Sequence, residues 1–105
     1  MAEVYKPTVA MAANARRGLK LRMDSPRSRQ GGTGVGLARA RQFVNREPVS
    51  LETVKRTYSF LSRAATYYKP GQNTPGTQAY LLWGGPAALA WAKNILNTKE
   101  KSNGV

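Results

Sequence analysis

The side chains best equipped for chemistry in this sequence are cations. Arg16, Arg17, Lys20, Arg22, Arg27, Arg29, Arg39, Arg41, Lys55, Arg56 and Arg63 all precede residue 70. A guanidinium binds phosphate bidentately, and each phosphate neutralised releases condensed counterions, giving affinity without sequence reading. Ten of the 17 basic residues are Arg, which favours such contacts and entry into narrow grooves. Residues 1–69 carry 14 basic and 4 acidic side chains against 3 and 1 in residues 70–105, and the formal charge is +12. Asymmetry of this size points to an oriented, polyanionic partner. The plainer reading is a solvated charged surface that aids solubility.

Other chemistries lack parts. The chain has no Cys and no His, so disulfides, thiolate catalysis, an imidazole base and the usual zinc or haem sites are all missing. Five scattered carboxylates form no acid/base pair or metal cluster in the sequence, and no base stands near the Ser, Tyr or Lys nucleophiles. No cofactor, no metal and no catalysis are expected. The glycine-rich GGTGVG at 31–36 is followed by no Gly-Lys-Ser/Thr and preceded by no strand, which excludes a Walker or dinucleotide motif. It can hold a DNA phosphate at a helix start or be a flexible turn. The opening MAEVYKPTVAM lacks the basic and apolar regions of a secretory signal. The uncharged stretch Pro70–Ala92 is broken by prolines and by Gly84–Gly85, so no membrane partner is expected.

These cations must be positioned by helices, since no convincing alternating strand is found. Thr8 caps a first helix over Val9–Met23, whose stripe is Ala12, Ala15, Leu19 and Met23. Gly18 weakens it and calls for packing support. DSPRSRQGG at 24–32 is a flexible turn that puts Arg27 and Arg29 in water as a mobile arm. Thr33 caps a second helix ending near Asn45, with Leu37, Ala40 and Val44 buried. Ser50 caps a third, with Leu51, Val54, Tyr58, Leu61, Ala65 and Tyr68 as the buried stripe and Arg56, Ser59 and Arg63 opposite. Phe60 falls on the polar side of that scheme without explanation. Thr74–Pro75 opens a short fourth helix to Trp83, and Pro86 opens a fifth to about Leu96. Residues 1–7 and the polar tail from about residue 98 are expected to fray. The fold class is therefore all-α, one domain of about five helices.

Within it, the second and third helices stand in helix-turn-helix order, with Glu52, Lys55, Arg56 and Ser59 placed where a recognition helix meets base edges. The third helix holds no Asn or Gln for bidentate adenine contact, so non-specific duplex binding is the stronger reading. The aromatics Tyr58, Tyr67, Tyr68, Tyr80, Trp83 and Trp91 read mainly as core. Phe60 and Tyr67 are the two candidates for exposed platforms on which bases stack.

The stretch from Ser50 to Leu96, with GGTGVGLARARQ before it, resembles a small domain encoded by tailed bacteriophages and prophages. The resemblance lies in the ARAR-type helix, the S-x-x-T-V-K-R run and the terminal LLWGG-x-A-x-x-WA. It implies a phage setting, alone or appended to head-morphogenesis proteins, and no mechanism. The sequence reading is thus a non-enzymatic basic protein contacting the duplex DNA backbone in the host cytoplasm, nucleoid-associated, or in the virion. Arg16, Arg17, Lys20, Arg27, Arg29, Arg39, Arg41, Lys55, Arg56, Ser59 and Arg63 are its candidate contacts. The rivals are RNA as the polyanion, a structural head component docking on an acidic virion protein, or an inhibitor of a host nucleic-acid enzyme.

Overall fold

Each helix of the chain begins where the sequence supplies a cap or a tight turn. The structure, a computed structural model, describes residues 3–103, with side chains from residue 3 to residue 98. Thr8 accepts from the Met11 amide at the start of α1 (Val9–Met23), and Thr33 accepts from the Gly36 amide at the start of α2 (Gly34–Val44). Ser50 caps α3 (Leu51–Ala64) and Thr74 caps α4 (Pro75–Leu82), which carries Pro at its first position. These side-chain oxygens satisfy amides that have no partner inside a helix. The helix α5 (Gly85–Asn103) follows α4 after a single turn. The fold is an all-α bundle of five helices among the described residues.

Two junctions depend on glycine. A Cβ at Gly18 would stand 2.8 Å from the Leu82 amide nitrogen, so its absence lets α1 lie directly against α4. That close crossing is the packing support that a helix-weakening glycine requires. Gly84 and Gly85 have φ values of +96° and +63°, a left-handed path that reverses the chain between α4 and α5. Asn14 of α1 donates to the Gly84 carbonyl at 2.9 Å and fixes that reversal.

The helix α1 packs on α2, α4 and α5, while α3 packs chiefly on α5. The core between them gathers Met11, Ala15, Ala40, Phe43, Val54, Leu61, Tyr80, Leu82, Trp83 and Ala92. Phe43 meets Trp91 edge-on, with ring centroids 6.2 Å apart.

Several sequence expectations are corrected here. Val4–Tyr5 (β1) pairs antiparallel with Val49–Ser50 (β2), so the chain does contain strands, each of two residues. The expected fraying of 1–7 and 98–105 meets this pairing at one end and the helical backbone of α5 to Asn103 at the other. Met1, Ala2, Gly104 and Val105 lie outside the described residues. On α1, Met11 and Gly18 join Ala12 and Ala15 in the core, and Met23 is 80% exposed because it lies past the crossing with α4. On α2 the buried face is Gly36, Ala40 and Phe43, with Leu37 and Val44 half-buried; the helix packs chiefly on α1 and also on α4. On α3 the buried face is Val54, Thr57 and Leu61; Tyr58 and Ala65 are exposed and Tyr68 half-buried. Thr57 escapes a purely apolar count, yet its hydroxyl donates to the Thr53 carbonyl at 2.8 Å and leaves its methyl for the core.

Candidate functional site

Moving the buried face of α3 from Tyr58 to Thr57 explains Phe60. At about 100° per residue, Arg56, Phe60 and Arg63 share one flank, and Tyr67 follows in a short 3-10 turn at Ala65–Tyr67. Cation and aromatic therefore alternate along this edge. Phe60 is half-buried and stacks on Trp83, with centroids 4.9 Å apart and planes 21° apart.

Trp83, the residue that ends α4, joins this edge to α2. Its indole nitrogen lies 3.3 Å from where a Cβ would stand at Gly36, and the Arg39 guanidinium carbon sits 5.4 Å from its ring centroid. The helices α2 and α3 keep helix-turn-helix order, but their main packing partners are α1 and α5, and Trp83 and Phe60 bridge the space between them.

Arg39 is the unusual cation. It is half-buried, its Nη1 donates to the Gln42 side-chain carbonyl, and its Nε is buried without a hydrogen-bond partner. Burial first, and repulsion from Arg56 second, lower its pKa below the ordinary arginine value. A cation–ring contact contributes about 0.5–1 kcal/mol at exposed sites, which offsets part of the lost hydration.

The remaining candidates are dispersed. Lys55 and Ser59 are exposed on the outer face of α3, next to Arg56 and Arg63. Arg56 also meets Glu52 at 3.0 Å, an exposed pair that contributes little. Arg41 lies two positions from Arg39, on another face of α2. Arg16, Arg17 and Lys20 are exposed on α1, with Lys20 paired to Asp24 at 3.4 Å. The helices α4 and α5 each touch both α1 and α3, with α1 mainly on α4 and α3 mainly on α5. Arg17 borders a smaller cavity of about 130 Å³ together with Gly71, Asn73 and Thr77.

Arg27 and Arg29 are exposed as expected, on a 3-10 turn, but the loop that carries them is held and is no mobile arm. Gln78 of α4, fully buried, accepts from the Gly31 amide at 2.8 Å and donates to Asn73 Oδ1 at 2.8 Å, Ser25 Oγ at 3.0 Å and the Arg29 carbonyl at 3.3 Å. Arg22 closes the loop from the other side, its Nε donating to the Gly31 carbonyl at 3.0 Å. Sequence reading missed Gln78; the available signal was a single amide within the uncharged, helical Pro75–Leu82.

Among the described residues no group of three or more acidic, His or Cys side chains can hold a metal, and no helix is long and apolar enough to cross a membrane. No family model matches the chain, and no curated protein or solved structure matches it.

Proposed function

We propose that this chain binds the phosphate backbone of DNA with little sequence preference, chiefly through Arg39, Lys55, Arg56, Ser59 and Arg63 on the α2–α3 face. The observation that carries this reading is Arg39, a half-buried cation held beside a second cation, Arg56. A phosphate drawn to the pair of guanidinium groups would relieve that repulsion. With 5 carboxylates against 17 cations, the chain itself cannot neutralise this charge. Arg16, Arg17, Lys20, Arg27, Arg29 and Arg41 add to the long-range attraction from other faces. The phage-type resemblance of Ser50–Leu96 makes a viral genome the polyanion to consider first.

Fluorescence anisotropy with a random duplex of about 20 base pairs, its single strand and an RNA duplex, titrated between about 50 and 300 mM salt, tests the proposal. Neutralising roughly six phosphates predicts a slope of log K against log salt near −5. Replacing Arg56 and Arg63 together by Ala should flatten that slope by about 2 at unchanged helical content. An unchanged slope would remove those two residues from the interface. Absence of binding at the lowest salt would assign the charge to an acidic protein partner instead.

A further inference from the structure

Where α3 ends, the 3-10 turn and α4 enclose a groove of about 350 Å³, lined by Phe60, Arg63, Ala64, Tyr67, Gly76 and Ala79. Its walls are aromatic and aliphatic apart from one cation, and no carboxylate lines it. One wall is rigid, because Phe60 is held in its stack on Trp83. The other is Tyr67, which is 66% exposed. Gly76 makes the groove possible: a Cβ there would stand 2.8 Å from the Tyr67 Cβ and 2.9 Å from its carbonyl oxygen. A side chain at position 76 would push Tyr67 out of place.

We propose that this groove takes one unpaired nucleobase of a DNA strand, stacked on Tyr67, with Arg63 on the adjoining phosphate. The size falls at the lower end of small-ligand sites, about 300–1,000 Å³, and suits a single ring system. Charge complementarity selects the occupant. An apolar peptide would leave Arg63 without a counterion, whereas a nucleotide offers a flat apolar face and an anion within one residue's reach. Arg56 lies two helical turns before Arg63 on the same flank of α3, and Arg39 faces Arg56, so further cations stand near the groove for neighbouring phosphates. A base stacked inside a duplex cannot enter without leaving its pair. The groove therefore reads strand state, a discrimination that backbone contacts alone do not provide. This inference rests on the DNA-backbone reading and adds the unpaired base to it.

The test compares three DNA probes in anisotropy at low salt: a short thymidine strand, the same strand with abasic sites, and a blunt duplex. The two strands carry equal phosphate charge and differ only in their bases. Stacking on one aromatic side chain predicts a preference of about fivefold or more for the thymidine strand. Tyr67→Ala should abolish that preference and leave duplex binding unchanged, while Tyr67→Phe should retain it. Tyr67 is exposed, so neither change should disturb the fold, and circular dichroism checks this. Equal binding of the two strands by the native protein would overturn the groove assignment while leaving the backbone reading intact. A preference that survives Tyr67→Ala would also overturn it, because the base would then be held elsewhere. Failure of all three probes to bind would overturn both readings together.

Discussion

Gln78 and Arg39 are both polar side chains drawn inward from helices, and they end in opposite conditions. Gln78 is fully buried, and its amide oxygen and nitrogen hold the loop 24–32 through the Gly31 amide, Ser25, Asn73 and the Arg29 carbonyl. Arg39 is half-buried against Trp83, faces the repulsion of Arg56 and keeps an unpartnered Nε. A satisfied buried polar group specifies structure, whereas a half-buried cation held beside another carries a cost that an anion can offset. The α1–α4 side of the molecule therefore serves the fold, and the α2–α3 side is where an anion has something to gain.

The largest expected effect breaks the first half of that contrast. Gln78→Leu leaves the buried Gly31 amide without an acceptor and unties the loop from α4, so we expect a loss of about 2–3 kcal/mol. For a domain of this size that corresponds to a fall of about 10 °C or more in melting temperature. DNA affinity of the folded variant should be nearly unchanged. A melting temperature within a degree or two of the native protein would show that the loop is held by something else.

Gly18→Ala sets two effects of opposite sign against each other. Alanine favours an isolated helix by up to about 1 kcal/mol over glycine. Here its Cβ would stand 2.8 Å from the Leu82 amide and 3.0 Å from Leu81, and overpacking of this kind costs about 1–3 kcal/mol. The backbone of α4 cannot rotate away as a flexible side chain could, so the clash should prevail, with a net loss of about 1–2 kcal/mol in urea unfolding. A gain in stability would mean that α1 and α4 are looser than their spacing implies.

The difference between these two regions also marks how far the sequence could be read. Thr8, Thr33, Ser50 and Thr74–Pro75 stood where capping chemistry requires them, because a cap is a local event decided within a few residues. The boundaries of α1, α2 and α4 followed from them, and the all-α class with them. The buried faces were less legible. Counting apolar residues at helical spacing put Tyr58 inside and left Phe60 unexplained, because the face of α3 is set by α5 and by the Trp83 ring, both distant in sequence. Gln78 was invisible for the same reason: its partners lie from 5 to 53 residues away. The cations were identifiable by type, but which of them share a face is a property of packing. The two short strands are set by residues 4–5 meeting residues 49–50, a pairing that no local pattern announces.

Arg39→Met sharpens the second half of the contrast. Methionine keeps an unbranched apolar stem for Trp83 while removing the charge and the unpartnered nitrogen. Folding stability should hold within about 0.5 kcal/mol or rise slightly, because the repulsion from Arg56 is gone. DNA affinity should fall about tenfold, the equivalent of one charge-assisted contact. The two readouts moving apart is the signature of a residue kept for its ligand. A parallel loss of stability and binding would instead make Arg39 a structural residue like Gln78.

The smallest effect separates the two regions by pH. Tyr80 is 3% exposed and stacks on Tyr68 with centroids 4.6 Å apart. Burial first, and the neighbouring Tyr68 second, raise its pKa above the ordinary value of 10.0. The folded state thus holds this proton more tightly than the unfolded chain does. Its contribution to stability is full below about pH 10 and is lost as pH rises through the folded-state value. The urea midpoint of Tyr80→Phe, which has no such proton, should differ from that of the native protein by a constant amount between about pH 7 and 9. Above about pH 10 the difference should shift in favour of the variant. The loosening belongs to the interior of the α4 side, where Tyr80 packs on Tyr68. If the difference between the two midpoints stays flat across the whole range, Tyr80 reaches solvent more easily than its packing on Tyr68 implies.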